Sequence, residues 1–121
     1  MRPKIRATVV CVRGDKVLLV SKDGVRWALP GGRPDEHEVL ADTAARELLE
    51  ETAMKAKTLD FQSQYLGSTT VHHVFKATVS KSAEPRPNNE IKACSWFAWG
   101  KLDQLEASLT TKRIVAEVVV A

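Results

Sequence analysis

The chain has 121 residues, of which 44% are hydrophobic and 27% are charged. This length leaves room for one domain over residues 1–121, with a core large enough to exclude the class of disulfide-stapled mini-proteins. The formal net charge of +3 is unevenly distributed, because residues 35–51 contain seven acids and one base while the rest of the chain carries an excess of nine positive charges.

The first half of the chain is predicted to contain mainly strands, followed by one helix. Residues 4–13 and 16–22 are rich in β-branched side chains and are split by Gly14-Asp15, which is typical of a β-hairpin. A short strand is predicted over residues 27–29, where Pro30 ends it. The loop 31–38 then leads into the strongest helical pattern of the chain, over residues 39–54.

The second half adds more strands and a C-terminal helix. The predicted elements are strands over residues 58–68, 71–80 and 90–99, a loop over 82–89 and a helical turn over 102–105. A last helix over residues 112–120 is expected, capped by Thr110 or Thr111, although its many valines leave a strand as the alternative. Mostly antiparallel strands with two helices indicate a layered α+β domain.

The cysteines and the N-terminus indicate a cytoplasmic protein. Cys11 and Cys94 both fall in apolar, strand-like runs without the spacing of metal ligands, so we interpret them as reduced core residues. The basic residues at the N-terminus precede an apolar run that stops at Arg13, which is too short for the core of a signal peptide. No run reaches the length of a membrane-spanning helix, so no membrane partner is expected.

The helix over residues 39–54 has an acidic face. With 3.6 residues per turn, Glu47, Glu50 and Glu51 project from one side within a single turn. Like charges four residues apart destabilise a helix by roughly 0.2–0.5 kcal/mol, so the cluster indicates a cation, with a solvated acidic surface as the alternative. The other side is expected to pack on a sheet and consists of Ala41, Ala45, Leu48, Leu49 and Thr52.

The loop before this helix strengthens the prediction of a cation. Gly31 and Gly32 allow the backbone to approach a ligand closely, and the loop leads directly into the acidic helix. Divalent cations such as Mg²⁺ take oxygen ligands and combine a few carboxylates with substrate phosphates. Loop and helix together predict a site for a divalent cation and a polyphosphate.

Residues 32–54 resemble the Nudix box, the motif of a family of nucleotide hydrolases. The motif is written G-x5-E-x7-R-E-U-x-E-E-x-G-U, where U is a bulky aliphatic residue, and eight of its nine specified positions are matched. Ala53 stands where the family has Gly, so either this helix end is strained by roughly 1–2 kcal/mol or the helix runs on. His37 stands where the family often has Gly, which predicts a loop of altered shape.

The resemblance implies a fold and a reaction. It implies an α+β fold of the Nudix type, an α/β/α sandwich with a mixed sheet between helices. It also implies hydrolysis of a pyrophosphate bond in a nucleoside diphosphate linked to another group, with Mg²⁺ or Mn²⁺ as cofactor and a nucleoside monophosphate as product. The residues around Trp27 and Trp96 are also similar to those of the family, so the resemblance covers most of the chain.

The resemblance also implies roles for individual residues. Its catalytic and metal-binding carboxylates match Glu47, Glu50 and Glu51, and Gly32 matches the residue that supplies the turn and a backbone ligand. Arg46 matches a residue that braces the loop through Glu38 and orients a catalytic carboxylate. The general base in this family is either a carboxylate of the box or a remote one. Glu90, after the loop 82–89, is the remote candidate, with an exposed strand-end residue as the alternative.

Several aromatic residues outside the motif are candidates for ligand contacts. A nucleobase could stack on Trp27, Trp96 or Trp99, although tryptophans more often belong to the core. His72 and His73 are neighbours in a predicted strand and therefore face opposite sides of the sheet. One of them is expected to reach the cleft and the other the surface.

The positive charges suggest polyphosphate contacts without indicating a nucleic-acid-binding protein. Four basic residues near the motif in sequence are candidates for phosphate contacts, or for ordinary surface charges: Arg6, Lys22, Arg26 and Arg33. The chain contains no DNA- or RNA-binding motif, so no specific nucleic-acid partner is expected. Small Nudix proteins are commonly homodimers, which keeps a homodimer as an alternative to a monomer.

The leading hypothesis is a pyrophosphohydrolase that acts on a small nucleotide. Members of the family selective for ADP-ribose or dinucleoside polyphosphates carry Pro or Tyr a short distance past the box, where this chain has Thr70, Val71 and His72. This difference favours a nucleoside triphosphate or a related diphosphate. The alternative is a nucleotide-sensing domain of the same fold with little or no turnover, which would not need the complete set of carboxylates.

Overall fold

The computed structural model describes residues 2–120, and within them the chain forms six strands and two α-helices. No described helix is both long enough and apolar enough to cross a bilayer. The elements are β1 (Lys4–Arg13), β2 (Lys16–Ser21), β3 (Gly31–Gly32), α1 (Leu40–Thr52), β4 (Thr58–Leu66), β5 (Thr70–Thr78), β6 (Ala93–Ala98), a 3-10 helix (Trp99–Gln104) and α2 (Leu109–Val120).

The strands form one mixed sheet in the order β4-β5-β1-β2-β6, with the short β3 pairing onto β1. β1 and β5 run parallel, in register from Lys4 opposite Thr70 to Cys11 opposite Ala77. The other pairings between the described strands are antiparallel, and they include the predicted hairpin of β1 and β2. The parallel pair at the centre makes the sheet mixed, as the family resemblance implies.

One helix covers each face of the sheet, and the side chains of β1 alternate between the two cores. Ala7 and Val9 belong to the core that includes Leu48 of α1. Val10 belongs to the opposite core, which includes Ile114 of α2. The predicted α/β/α sandwich is therefore confirmed.

The two cysteines are free thiols, as predicted. Cys11 is buried in β1, and burial raises the pKa of its thiol to about 12. Cys94 in β6 is half-buried, and burial also raises the pKa of this thiol. Both groups are therefore protonated at neutral pH and behave as small apolar side chains.

The short strand before the acidic helix lies later in the sequence than predicted. Residues 27–29 make only isolated bridges, to Val20 and Ala107. The paired segment is Gly31–Gly32, which the sequence pattern assigned to a loop. Glycine is depleted in strands, so this pairing follows from the position of β1 and not from local propensity.

The C-terminal segment is a helix and not the alternative strand, but its cap differs from the prediction. Ser108 Oγ accepts the backbone N–H of Thr111 at 3.0 Å, which makes Ser108 the N-cap of α2. Thr110 and Thr111, the predicted caps, lie in the first turn of the helix. The helix therefore begins at Leu109, before the predicted start at Lys112.

Helix α1 ends at Ala53, which adopts the left-handed conformation with φ 60° and ψ 17°. Its N–H donates to the carbonyl oxygen of Leu49 at 2.9 Å, so the helix stops here. The predicted helix over residues 39–54 is therefore too long at this end. The Cβ of alanine makes this conformation less favourable than it would be for glycine, by roughly 1–2 kcal/mol. Ala53 is therefore a strained helix end.

We expect the substitution Ala53→Gly to stabilise the protein by about 1 kcal/mol, because it removes this strain. Glycine is also more flexible in the unfolded chain, and this opposing effect cancels only part of the stabilisation. Thermal and urea unfolding would measure the change. Ala116→Gly, in the interior of α2, is the matched control and should destabilise by about 1 kcal/mol. A loss of stability in both variants would contradict the assignment of strain to Ala53.

Candidate active site

Glu47, Glu50 and Glu51 lie on one face of α1, as the helical spacing predicts. The side chain of Glu47 is 16% exposed and that of Glu50 is 41% exposed. Leu48 on the opposite side is buried, whereas Leu49 is half exposed, so the prediction that Leu49 packs on the sheet was wrong. Leu49 lies about 100° around the helix from Leu48 and therefore outside the buried stripe.

Arg46 connects the loop before α1 to the carboxylates of the helix. Its Nε and Nη2 donate to the two carboxylate oxygens of Glu38, both at 2.8 Å. Its Nη1 donates to Glu47 Oε1 at 2.8 Å and to Glu50 Oε2 at 3.3 Å. The hydrogen bonds to Glu38 raise the pKa of Arg46 further, so the guanidinium stays charged. Arg46 thus ties the loop to the helix and orients Glu47.

Glu38 accepts two further hydrogen bonds besides those from Arg46. The backbone N–H of Asp35 and the hydroxyl of Thr43 donate to Glu38 Oε1 at 2.9 Å and 2.8 Å. The bonds from Arg46, followed by that from Asp35, lower the pKa of Glu38 to about 2. The carboxylate is therefore ionised at neutral pH and holds the loop in place.

We expect Glu38→Gln to lower the Tm at pH 7, because the amide group of Gln would face the Arg46 guanidinium with a donor. The folded pKa of about 2 lies below the ordinary 4.5. The ionised carboxylate therefore contributes stability that is fully present above pH 4.5 and is lost as the pH falls toward 2. The Tm difference between wild type and variant should narrow over that interval.

The matched control for this experiment is Glu36→Gln. Glu36 is an exposed neighbour of the same loop whose described partner is His37, at 3.5 Å. Its substitution should leave the Tm unchanged across the same pH range. Equal effects of the two variants, or a Tm difference for Glu38→Gln that stays constant down to pH 2, would refute the role given to Glu38.

Glu51 is a partly buried carboxylate of the acidic face. Its Oε1 accepts the backbone N–H of Gly31 at 2.9 Å, which fixes the side chain against β3. Burial raises the pKa of Glu51 to about 7, against the opposing effects of this hydrogen bond and of the charge of Arg6. Burial also raises the pKa of Glu47, against the opposing charge of Arg46. Both carboxylates would be stabilised by additional positive charge.

The two glycines of β3 allow close approaches that a side chain would prevent. Gly31 has φ 152°, and a Cβ there would collide with the carbonyl oxygen of Ala7. A Cβ on Gly32 would lie 2.5–2.8 Å from the carboxylate atoms of Glu47. His37 adopts φ 66°, so the left-handed turn forms with His at the position where the family often has Gly.

The acidic face opens onto a cavity of about 510 Å³, which we call the carboxylate cavity. Gly31 and Gly32 line it together with the three glutamates of α1. It therefore combines hard oxygen donors with positive charges at a single surface. Its basic lining residues are Lys4, Arg6, Lys22 and Arg33.

Glu90 lies at the rim of the same cavity. The loop that carries it contacts the end of α1, where Arg86 N–H donates to the carbonyl oxygen of Thr52 at 2.9 Å. The side chain of Glu90 is 84% exposed and lies 4.0 Å from Lys22 Nζ. Strand β6 starts after this loop, at Ala93, and is shorter than the predicted strand over residues 90–99.

A larger cavity of about 640 Å³ adjoins the carboxylate cavity. The two cavities share five lining residues: Arg6, Lys22, Gly31, Glu51 and Thr70. The larger cavity extends between the sheet and the start of α2 and has an apolar part formed by Trp27, Leu29 and Ile114. The arrangement provides one charged compartment next to one that suits a larger, less polar group.

A family model described as the NUDIX domain matches residues 2–118. The chain belongs to the Nudix family. The crystal structure of a MutT NUDIX hydrolase from Burkholderia pseudomallei matches with a TM-score of 0.77 and 26% identity, over 97% of this chain and 98% of that one. The NUDIX domain of Shewanella oneidensis NrtR, crystallised with ADP ribose, matches with a TM-score of 0.84 and 22% identity, over 99% and 88% of the two chains.

Curated proteins with sequences similar to this chain are named as candidate 8-oxo-dGTP diphosphatases. A Bacillus subtilis protein named as a candidate 8-oxo-dGTP diphosphatase is 31% identical over 99 residues, which cover 78% of this chain and 65% of the relative. A Mycobacterium tuberculosis protein named as candidate 8-oxo-dGTP diphosphatase 3 is 30% identical over 95 residues, which cover 72% and 44%. The chain thus spans about half to two thirds of the length of these relatives.

The tryptophans of this Nudix chain divide between the core and the larger cavity. Trp96 packs in the core with the guanidinium of Arg13 over its ring at 4.5 Å, and Trp99 is partly buried on the other side of the sheet. Trp27 packs edge-on against Phe97, with ring centroids 4.8 Å apart, and also lines the larger cavity. Of these described tryptophans, Trp27 lines the larger cavity, whereas Trp96 and Trp99 line neither the larger cavity nor the carboxylate cavity.

The other predicted ligand contacts all lie at the cavities. The four basic candidates line one or both of them: Arg6, Lys22, Arg26 and Arg33. His72 lines the larger cavity, whereas His73 lines neither, in agreement with their opposite orientation. The sequence prediction missed Thr8, which is buried beside His72. No local signal identifies Thr8, because its partner His72 lies 64 positions away in the chain.

The lining of the carboxylate cavity fits a hard divalent cation. The three carboxylates carry oxygen atoms of the type that Mg²⁺ prefers, and a side chain at Gly32 would fill the space beside Glu47. Among residues 2–120, no three acidic, His or Cys side chains already have the spacing of a formed metal site. Arg46 holds Glu47 and Glu50, so a cation would compete with its guanidinium for them.

Proposed function

We propose that this chain hydrolyses a pyrophosphate bond in a small nucleotide with the help of a divalent cation. The observation that carries the proposal is the convergence of Glu47, Glu50 and Glu51 with the glycines of β3 on one cavity that also contains basic side chains. A polyphosphate needs both signs of charge, because its own oxygens are anionic and the cation that accompanies it binds to carboxylates.

The residues of the Nudix box have separate tasks in this proposal. Glu47, Glu50, Glu51 and the backbone of Gly32 would hold Mg²⁺ or Mn²⁺. When bound, the cation supplies charge neutralisation for the phosphate oxygens and acidifies the attacking water. Arg46 orients Glu47 for this task through its 2.8 Å hydrogen bond.

The remaining steps fall to residues around the cavity. Arg6, Lys22 and Arg33 line it and would hold the phosphates against the carboxylates by charge-assisted hydrogen bonds. Glu90 lines the cavity without contacting Arg46 or Gly31, so its carboxylate is available to take a proton from the attacking water. Water would add to the phosphorus of the leaving nucleoside monophosphate, and the second product would be pyrophosphate from a triphosphate, or the second group carrying the other phosphate from a diphosphate.

The substrate class that we propose is the nucleoside triphosphates, with 8-oxo-dGTP as the first member to test. The names of the curated relatives support an oxidised guanine nucleotide. The larger cavity adjoins the carboxylate cavity and offers an apolar compartment of the kind that accepts a nucleobase. This arrangement would bind the two ends of a nucleotide in neighbouring spaces.

The test is an assay that separates and measures the nucleotide and phosphate-containing products formed from a panel of substrates. The panel contains 8-oxo-dGTP, the common nucleoside triphosphates, ADP-ribose and a dinucleoside polyphosphate, each with Mg²⁺, with Mn²⁺ and with a chelator. We expect turnover of at least one triphosphate with a metal and none with the chelator. Nucleotide binding without turnover of any member would overturn the proposal and support the alternative of a nucleotide-sensing domain.

A further inference from the structure

Three polar residues lie on the face of the sheet that is covered by α2. Arg6 and Thr8 precede Val10 at alternate positions of β1, and Val10 belongs to the core on this side. His72 precedes Val74 in the same way on β5, and Val74 belongs to the same core. All three polar residues line the larger cavity and are not part of the Nudix box.

A chain of hydrogen bonds joins these three residues. Arg6 Nε donates to Thr8 Oγ1 at 3.3 Å, and Thr8 Oγ1 lies 2.8 Å from His72 Nδ1. Arg6 Nη2 donates to the carbonyl oxygen of Leu29 at 2.9 Å, which holds the guanidinium in place. The hydroxyl of Thr8 is therefore fixed between a permanent donor and the ring of His72.

The single hydroxyl proton of Thr8 determines the tautomer of His72. The hydroxyl of Thr8 has one proton to donate. Arg6 has no acceptor atom in its guanidinium, so the hydroxyl donates this proton to His72 Nδ1. If His72 Nδ1 carried the proton, the hydroxyl of Thr8, which is 1% exposed, would keep a buried donor without a described partner. A buried donor without a partner is unfavourable, because it has lost its hydrogen bonds to water. His72 is therefore held as the neutral form with its proton on Nε2.

The Nε2 atom of His72 is the free end of this chain. It makes no hydrogen bond to any residue in the described part of the chain, residues 2–120, and is not among the buried atoms without a partner there. A Cβ on Gly67 would lie 3.6 Å from it, so the glycine leaves this edge of the ring uncovered. Gly67 also lines the larger cavity. Nε2–H is thus a fixed donor beside that cavity.

We propose that His72 Nε2–H donates a hydrogen bond to an acceptor atom of the nucleobase, a ring nitrogen or a carbonyl oxygen, and thereby determines which base is accepted. The proposal rests on the proposed nucleotide substrate, because the base must lie next to the carboxylate cavity that takes the phosphates. A neutral donor in a cavity that Trp27 and Leu29 also line suits an uncharged aromatic ring better than a phosphate. A base that presents a donor at this position would leave two donors facing each other and would be rejected.

The tautomer can be measured without any ligand. In a ¹⁵N-labelled protein, the ring nitrogen shifts of His72 at neutral pH should show a protonated Nε2 and an unprotonated Nδ1. In Thr8→Val, which removes the hydroxyl, the shifts should indicate a mixture of tautomers. A protonated Nδ1 in the wild type, or unchanged shifts in Thr8→Val, would overturn the inference.

Binding tests the contact to the base in a metal-free buffer. Titration with the four common nucleoside monophosphates and 8-oxo-dGMP should shift the Nε2–H signal for at least one of them. That ligand should bind His72→Phe roughly tenfold more weakly, which is the effect of about one lost hydrogen bond. His72→Gln, which places an amide donor near the position of Nε2, should recover part of the affinity. His73→Phe, on the opposite face, should bind like the wild type.

Ribose 5-phosphate is the control ligand, because it keeps the sugar and the phosphate but lacks the base. It should bind the wild type and His72→Phe with equal affinity. An equal loss for ribose 5-phosphate would show a contact to sugar or phosphate and overturn the inference. So would unchanged binding of all monophosphates to His72→Phe, or no binding to the wild type. If monophosphate binding depends on His72 but no triphosphate is hydrolysed, the proposed function fails and this inference stands.

Discussion

The substitution Glu51→Gln is expected to lower kcat by at least about two orders of magnitude while the fold stays intact. Gln has the same shape as Glu, and its side-chain oxygen can still accept the N–H of Gly31 that holds β3 against α1. What the variant loses is a negative charge in a partly buried place beside Glu47. A divalent cation would lose one of the carboxylates that hold it, which weakens its binding and its effect on the attacking water.

Two measurements distinguish this role from a structural one. The Tm of Glu51→Gln should equal or exceed that of the wild type, because burial already raises the pKa of this carboxyl to about 7. The concentration of Mg²⁺ needed for half-maximal activity should increase. Glu117→Gln, an exposed site on α2, is the control and should match the wild type in both. A Glu51→Gln variant with normal kcat would show that another residue takes this role.

Local patterns allowed the acidic face and much of the sheet to be predicted. Helical spacing alone places Glu47, Glu50 and Glu51 together, because residues three and four apart lie on one side of a helix. The β-branched-rich run over residues 4–13 likewise predicts a strand, and the predicted limits of β1 agree with the structure. These features depend on neighbours in the sequence, which is why the sequence was sufficient for them.

Features that depend on distant residues could not be predicted in the same way. The pairing of Gly31–Gly32 requires β1 as its partner, and two glycines carry no strand propensity of their own. The parallel register of β1 with β5 joins segments more than 60 residues apart in the chain, such as Lys4 and Thr70. Periodicity identifies a strand but not its neighbour, so the mixed sheet was implied by the family resemblance and the strand order came from the structure.

The residues that line the cavities could also be predicted only singly, and not as a connected group. The sequence suggested Arg6 and His72 as separate candidates, for a phosphate contact and for a position in the cleft. Thr8, the residue that joins them, has no unusual feature in the sequence, since threonine is common in strands. Its importance comes from a partner 64 positions away, and only the folded chain brings the two together.

The two adjacent glycines of β3 should differ sharply in their response to alanine. In Gly31→Ala, the new Cβ would meet the backbone of β1 at the carbonyl oxygen of Ala7, and backbone in the centre of a sheet cannot move aside. The residue would also keep a φ of 152°, which alanine rarely adopts. Together these effects should lower the free energy of unfolding by on the order of 3 kcal/mol.

In Gly32→Ala, the three atoms nearest to the new Cβ would all belong to the carboxylate of Glu47, at 2.5–2.8 Å. The side chain of Glu47 can rotate away, so the free energy of unfolding should change by less than about 1 kcal/mol. This rotation would move Glu47 out of the position in which Arg46 holds it by a hydrogen bond. Activity should therefore fall by roughly 10- to 100-fold, because small displacements of a catalytic group have effects of this size. Gly100→Ala, where a Cβ has nothing within 4 Å, should affect neither quantity. Urea unfolding and kcat measured on all three variants would test the distinction, and it would be wrong if Gly32→Ala were as unstable as Gly31→Ala or as active as Gly100→Ala.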